Sequence, residues 1–116
     1  MAMSQLQALI LSVAVEAVIA FALIRGLRWG DGLRAAAAAT IGTLFTHPIV
    51  WAIVPPLETP LGYATAVALV ETGVVLAESM AYRLIVPLPW SQALPASLIA
   101  NGGSVAAGLL YYAIAG

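Results

Sequence analysis

Six side chains able to do chemistry lie inside stretches of this chain that are otherwise apolar: Glu16, His47, Glu71, Glu78, Asn101 and Ser104. Three carboxyl groups and one imidazole can carry protons, attract cations or ligate a metal ion. An amide and a hydroxyl can hydrogen-bond whatever those groups hold. A charged side chain at the centre of a membrane-spanning helix costs about 2.5–3.5 kcal/mol on insertion scales, so such residues face a bundle interior or a water-filled cavity and mark a functional site by default.

Residues three or four apart share a helix face, and the polar residues repeat at that spacing four times. Ser12 and Glu16 stand one turn apart, with Gln5 two turns further out. Thr40, Thr43 and His47 form a second stripe. Glu71, Glu78 and Tyr82 form a third, which Ala64 and Ala68 extend, and Ser97, Asn101, Ser104 and Gly108 form the fourth. Lipid offers no hydrogen-bond partner on the outside of a bundle, so four such stripes are expected to converge on its centre. Counting about 1.5 Å per residue from the expected helix ends puts Glu16, Glu71 and Asn101 near mid-depth, His47 toward the outside and Glu78 toward the cytoplasm. Glu71 and Glu78 are then about 10 Å apart along the axis, too far to ligate one small ion together.

The elements that must position these groups follow from composition. Of 116 residues, 63% are hydrophobic and 8% charged, with a mean hydropathy of +1.04. A water-soluble domain would have almost nothing to cover its surface with. A helix needs roughly 20 apolar residues to span a bilayer, and four runs qualify: 5–27, 35–54, 62–86 and 91–115. The expected fold is an all-α, integral membrane four-helix bundle, a single transmembrane domain over residues 1–116 with antiparallel helices and short loops. The connections are rich in turn formers: Trp29-Gly30-Asp31-Gly32, then a triple-proline segment over 55–60, then Pro87-Leu88-Pro89. The first run lacks a basic stretch before it and Glu16 interrupts it, so it reads as a span and not as a cleaved signal. No internal repeat emerges beyond the glutamates of the first and third spans.

Arg25, Arg28 and Arg34 surround the first connection and Arg83 lies near the end of the third span, while the second connection carries no positive charge. Short cytoplasmic loops carry the excess of Lys and Arg, so both termini are expected outside, in a bacterial or archaeal inner membrane. Trp29, Trp51, Tyr63 and Trp90 fall near span ends, where aromatic rings anchor at the headgroups. With no cysteine, disulfides, thiolate zinc sites and thiol nucleophiles are excluded. A net charge of −1 with four basic residues gives no face for nucleic acid.

Each candidate also has a structural reading. A neutral, hydrogen-bonded carboxyl can simply hold helices together. His47 precedes Pro48, where a freed carbonyl would accept from its imidazole. Asn101 precedes Gly102-Gly103 and can glue a close helix crossing. Pro95 and the glycines make the fourth span the least regular, in the manner of the broken helices that line transporter cavities. Arg83 is expected to snorkel to the headgroups, five residues from Glu78 being a poor spacing for an ion pair.

Three functions follow. The first is ion- or proton-coupled transport or channel-like activity: Glu16 and Glu71 form the exchangeable carboxyl site, His47 gates the outer side, Glu78 connects to the cytoplasm, and Asn101 with Ser104 line the path. Four helices enclose a narrow centre, so a homo-oligomer or a larger membrane partner is expected alongside the lipid bilayer. The second is a membrane enzyme or metal-binding protein with a divalent ion at Glu16, His47 and Glu71; the Glu-x-x-His signature of di-iron bundles is absent. The third is a non-catalytic subunit of a larger membrane complex. In length, four spans and the glutamate within Val15-Glu16-Ala17, the chain resembles the small multidrug-resistance exporters, which work as dimers around such a carboxylate. The likeness stops there: Glu71, Glu78 and His47-Pro48 are foreign to that pattern, and the relation is one of architecture only.

Overall fold

The computed structural model describes residues 3–115. It consists of four helices: α1 (Gln5–Gly26), α2 (Gly32–Leu61), α3 (Tyr63–Ile85) and α4 (Trp90–Ala115), with no strand among the described residues. All four are long and apolar enough to cross a membrane. They form a ring in which α1 packs on α2 and α4, and α3 packs on the same two neighbours. The helices α1 and α3 therefore face each other diagonally.

Local chemistry sets the helix ends. At the start of α1, the Gln7 N–H donates to Ser4 Oγ at 3.1 Å while the Ser4 N–H donates to Gln7 Oε1 at 3.0 Å. This reciprocal box satisfies two donors that a helix start otherwise leaves unpaired. At its other end Arg28 takes a left-handed conformation (φ 58°), and the Trp29 N–H reaches back to the Ile24 carbonyl at 2.9 Å. The chain reverses at once, because Asp31 Oδ1 accepts from the N–H groups of Leu33 and Arg34 at 2.8 and 3.3 Å and starts α2.

The sequence places the end of the second span at residue 54 and a loop over 55–60. Instead α2 continues through Pro55, Pro56 and Pro60 to Leu61. Each proline deletes one backbone bond, but its fixed φ is compatible with a helix. The turn closes when the Gly62 N–H donates to the Glu58 carbonyl at 2.8 Å. Gly62, at φ 82° and ψ 155°, is the entire connection to α3, a backbone state that favours glycine. The fourth span, expected to be the least regular, is one continuous helix through Pro95 and Gly102-Gly103.

The two ends of the bundle differ. At the end that carries the arginine-bearing turns, Ala20, Ile24, Ala35, Ala38, Ala39, Tyr82, Ala93 and Ala96 are fully buried, and Val86 and Leu88 close over them. Alanines dominate, and small side chains let helices approach closely. At the end that carries the termini no comparable cluster forms among the described residues. Between the helix ends the outer surface is largely apolar, with Phe45 73% and Ile114 78% exposed, the reverse of a protein built for water.

Candidate functional site

Directly above the alanine plug, every helix contributes one polar residue to a single level. Glu16 of α1 and Glu78 of α3 are almost completely buried, as are Thr43 of α2 and Asn101 of α4. Glu16 and Glu78 come from diagonally opposed helices and meet across the centre, their carboxyl groups within hydrogen-bond reach of each other. The Thr43 hydroxyl lies between them, 3.1 Å from Glu16 Oε1 and 3.4 Å from Glu78 Oε1. Thr46 donates to Glu78 Oε2 at 2.9 Å. Ser104 lies beside Glu16 and Asn101 beside Glu78.

This corrects the sequence expectation, which pairs Glu16 with Glu71 and sets Glu78 apart on the cytoplasmic side. The reason is axial register: α1 and α3 run parallel, and Glu16 stands ten residues before the end of α1 while Glu78 stands seven before the end of α3, an offset of about 4.5 Å that two extended glutamate side chains can span. Space for the Glu78 side chain comes from Gly42, where a Cβ would stand 3.0 Å from Glu78 Cγ.

Above this pair opens a chamber of about 150 Å³, lined by Ser12, Glu16, Thr43, Thr46, His47, Trp51, Glu71, Glu78, Asn101 and Ser104 with Val50, Val74 and Val105. All six residues singled out in the sequence line it. Glu71 is half-buried on its wall and accepts no hydrogen bond from protein among the described residues. His47 is half-buried too, its ring tilted against Trp51 at 6.0 Å between centroids. Among the described residues its Nδ1 has no partner, so that nitrogen does not satisfy the carbonyl freed by Pro48. Asn101 bonds its own helix, through Nδ2 to the Ser97 carbonyl at 2.9 Å. It is Ser97 that ties α4 to α3, through the Val75 carbonyl at 2.8 Å.

A second, larger cavity of about 400 Å³ continues toward the terminal end and shares Val50, Trp51, Glu71 and Val105 with the chamber. Glu58, Tyr63 and Tyr112 stand further out along it. Together the two form a funnel, wide and largely apolar above, narrow and acidic below, with the alanine plug as its floor. The chamber has room for a compact cation or a few waters; the vestibule is of the size that takes small organic molecules.

Two residues of the pair's environment are absent from the sequence reading: Thr46 and Gly42. Thr46 was legible, since it lies three residues after Thr43 on the same face. Gly42 was not, because only the packed structure shows what stands opposite it. Ala64 and Ala68, read as part of the third polar stripe, are exposed. Arg83 turns away from Glu78, donating to the Leu88 carbonyl at 3.3 Å and lying 4.6 Å over the Trp90 ring. Among the described residues no three acidic or histidine side chains gather closely enough to hold a metal ion, so Glu16, His47 and Glu71 line one chamber without forming a ligand set. Comparison with protein-family models, with curated proteins and with solved structures found no match for this chain.

Proposed function

We propose that this chain is an integral membrane protein that exchanges protons for a cation, with its termini on the outer face and its arginine-bearing turns in the cytoplasm. Four helices of spanning length and apolar surface support the membrane setting. The gathering of Arg25, Arg28, Arg34 and Arg83 at one end supports the orientation.

The observation that carries the reading is the Glu16–Glu78 pair at the closed floor of an open funnel. Two carboxylates have only acceptors to offer each other, so a hydrogen bond between them requires one proton held in common. A cation descending to the same oxygens competes with that proton, and binding of one releases the other. That competition is the physical basis of exchange. Glu71, on the wall between vestibule and chamber, is the carboxyl a cation meets after Glu58 at the rim and before the floor. Thr43, Thr46, Asn101 and Ser104 hold the floor carboxyls in place and supply neutral hydrogen bonds that need no counter-charge. A funnel open at one end and sealed by the alanine plug at the other is what one state of an alternating-access cycle requires, and a continuous channel would lack the seal. Every residue named comes from one chain, so the reading needs no second copy.

The test is a pH gradient across proteoliposomes containing the protein, followed with an entrapped pH dye while inorganic and organic cations are added one at a time. Dissipation that requires both protein and a particular cation is expected, and it disappears in Glu71→Gln. Flux unchanged in that variant contradicts the reading.

A further inference from the structure

Glu71 borders three spaces. Besides the chamber and the vestibule, it lies at the floor of a groove of about 410 Å³ on the outside of the bundle, along the seam between α3 and α4. The walls of this groove are Val67, Val75, Leu76, Leu98 and Val105, and Ala68, Thr72 and Gly102 complete it. Among nine lining residues Glu71 is the one ionisable group. Leu76 and Leu98 are 55% and 60% exposed, so the groove faces the surroundings of the bundle and not its interior.

We infer that the α3–α4 seam is a membrane-side entrance through which an apolar amine reaches the Glu71 carboxyl. The inference rests on the proposed function for its membrane setting and for Glu71 as the carboxyl at the chamber entrance, and it adds the class of cation and its route. The occupant follows from the lining. Aliphatic walls match a hydrocarbon body of the kind that dissolves in lipid, and a single carboxyl without a protein partner matches one ammonium group. A fatty acid would bring a second carboxyl against Glu71, and a plain hydrocarbon would leave it unpaired. From Glu71 the ammonium turns inward to the chamber, while its tail stays in the seam or swings into the vestibule, which shares Val67, Glu71 and Val105 with the groove.

Two glycines allow the routes to be blocked separately. Gly102 lines the groove and Gly108 the vestibule, and a Cβ at either meets nothing within 4 Å. Gly102→Trp therefore projects an indole into the seam and Gly108→Trp one into the vestibule, neither meeting a clash at its Cβ. The probe is dicyclohexylcarbodiimide, an apolar reagent that partitions into lipid. The carboxyl O–H of Glu71 adds across a C=N bond of the reagent: oxygen bonds carbon, the proton goes to nitrogen, and transfer of the acyl group to nitrogen leaves a stable adduct with nothing lost. Peptide mass spectrometry on proteoliposomes reads the adduct, and Glu71→Gln defines its absence. The inference expects Gly102→Trp to slow labelling about tenfold and Gly108→Trp to leave it unchanged. It also expects dodecylamine to protect Glu71 where dodecanoate and dodecanol do not. Labelling slowed by Gly108→Trp alone overturns the route, and equal protection by dodecanol or dodecanoate overturns the amine.

A second copy of the chain seated on the seam is the competing occupant. The chain has no cysteine, so Gly102→Cys introduces a single thiol, and a disulfide-linked dimer forming in the membrane would overturn the entrance. Should Gly102→Trp fold poorly, Leu98→Trp on the opposite wall of the groove is read in the same way. None of these readouts depends on flux, so the entrance can fail while exchange stands, and exchange can fail while the entrance stands.

Discussion

Gly42 of α2 lies against Glu78 of α3 so closely that a methyl group at position 42 would stand 3.0 Å from Glu78 Cγ. The contact lets a charged side chain run along a neighbouring backbone to the bundle centre. A glycine in mid-helix costs roughly 0.5–1 kcal/mol relative to alanine, so position 42 gives up helix stability for the placement of Glu78. Gly42→Ala is expected to lower thermal stability in detergent and to remove proton–cation exchange, because Glu78 must shift by a few tenths of an ångström and leave Thr46, and a hydrogen bond to a charged group is worth about 1.5–3 kcal/mol, more than the alanine returns to the helix. Full exchange in this variant would show that the close approach has no part in function.

Thr43 is the only side chain whose hydroxyl faces both floor carboxyls. Thr43→Val keeps the shape and removes the hydrogen bond, which for a bond to a charged group costs about 1.5–3 kcal/mol. Thermal unfolding in detergent should show the loss in Thr43→Val and most of it restored in Thr43→Ser. A valine variant as stable as the parent would place the hydroxyl outside the network.

Gly103 sits where α4 crosses α1. A Cβ there meets the Cδ1 tip of Ile19 and lies 3.7 Å from Val15 Cγ1. The tip of a flexible side chain can move, so Gly103→Ala is expected to cost less than about 1 kcal/mol. Gly103→Leu should cost more than about 3 kcal/mol, since overpacking adds to the separation of α1 from α4. Ile19→Ala should recover part of that loss in a double-mutant cycle; independent effects would mean the two do not touch.

Tyr82 is fully buried in the plug and its hydroxyl has no hydrogen-bond partner among the described residues. An unpaired buried polar group costs about 1–3 kcal/mol, so Tyr82→Phe should raise the unfolding temperature. A fall would reveal a bond to this hydroxyl. If the plug opens during exchange, the same variant should also slow flux, because the hydroxyl then loses its chance to meet water or Glu78 one turn above.

Much of this was legible in the residue pattern. Four spans, one polar stripe on each and a shared centre follow from hydropathy and three-to-four spacing, and Glu16, His47, Glu71, Glu78, Asn101 and Ser104 do line one chamber. The pairing of Glu16 with Glu78 was not legible, because periodicity gives each helix a face but no axial register between helices, and because a glutamate side chain is long enough to bridge an offset of several ångströms. The extent of α2 was missed for a different reason. Pro55, Pro56 and Pro60 signal a break in most settings, yet here they are absorbed into a helix that ends only at Gly62. Exposed Ala68 shows the limit of reading small residues as a buried stripe: it lies on α3 beside the groove floor.

The central claim is that Glu16 and Glu78 hold one proton that a cation displaces. It is tested most directly by purifying the protein, adding a cation found active in the flux assay, and measuring proton release in weakly buffered detergent solution against the amount of cation bound. The account predicts release from the parent protein and none from either Glu16→Gln or Glu78→Gln, each of which remains folded. Release that persists in both variants, or cation binding with no proton released from the parent, would contradict it.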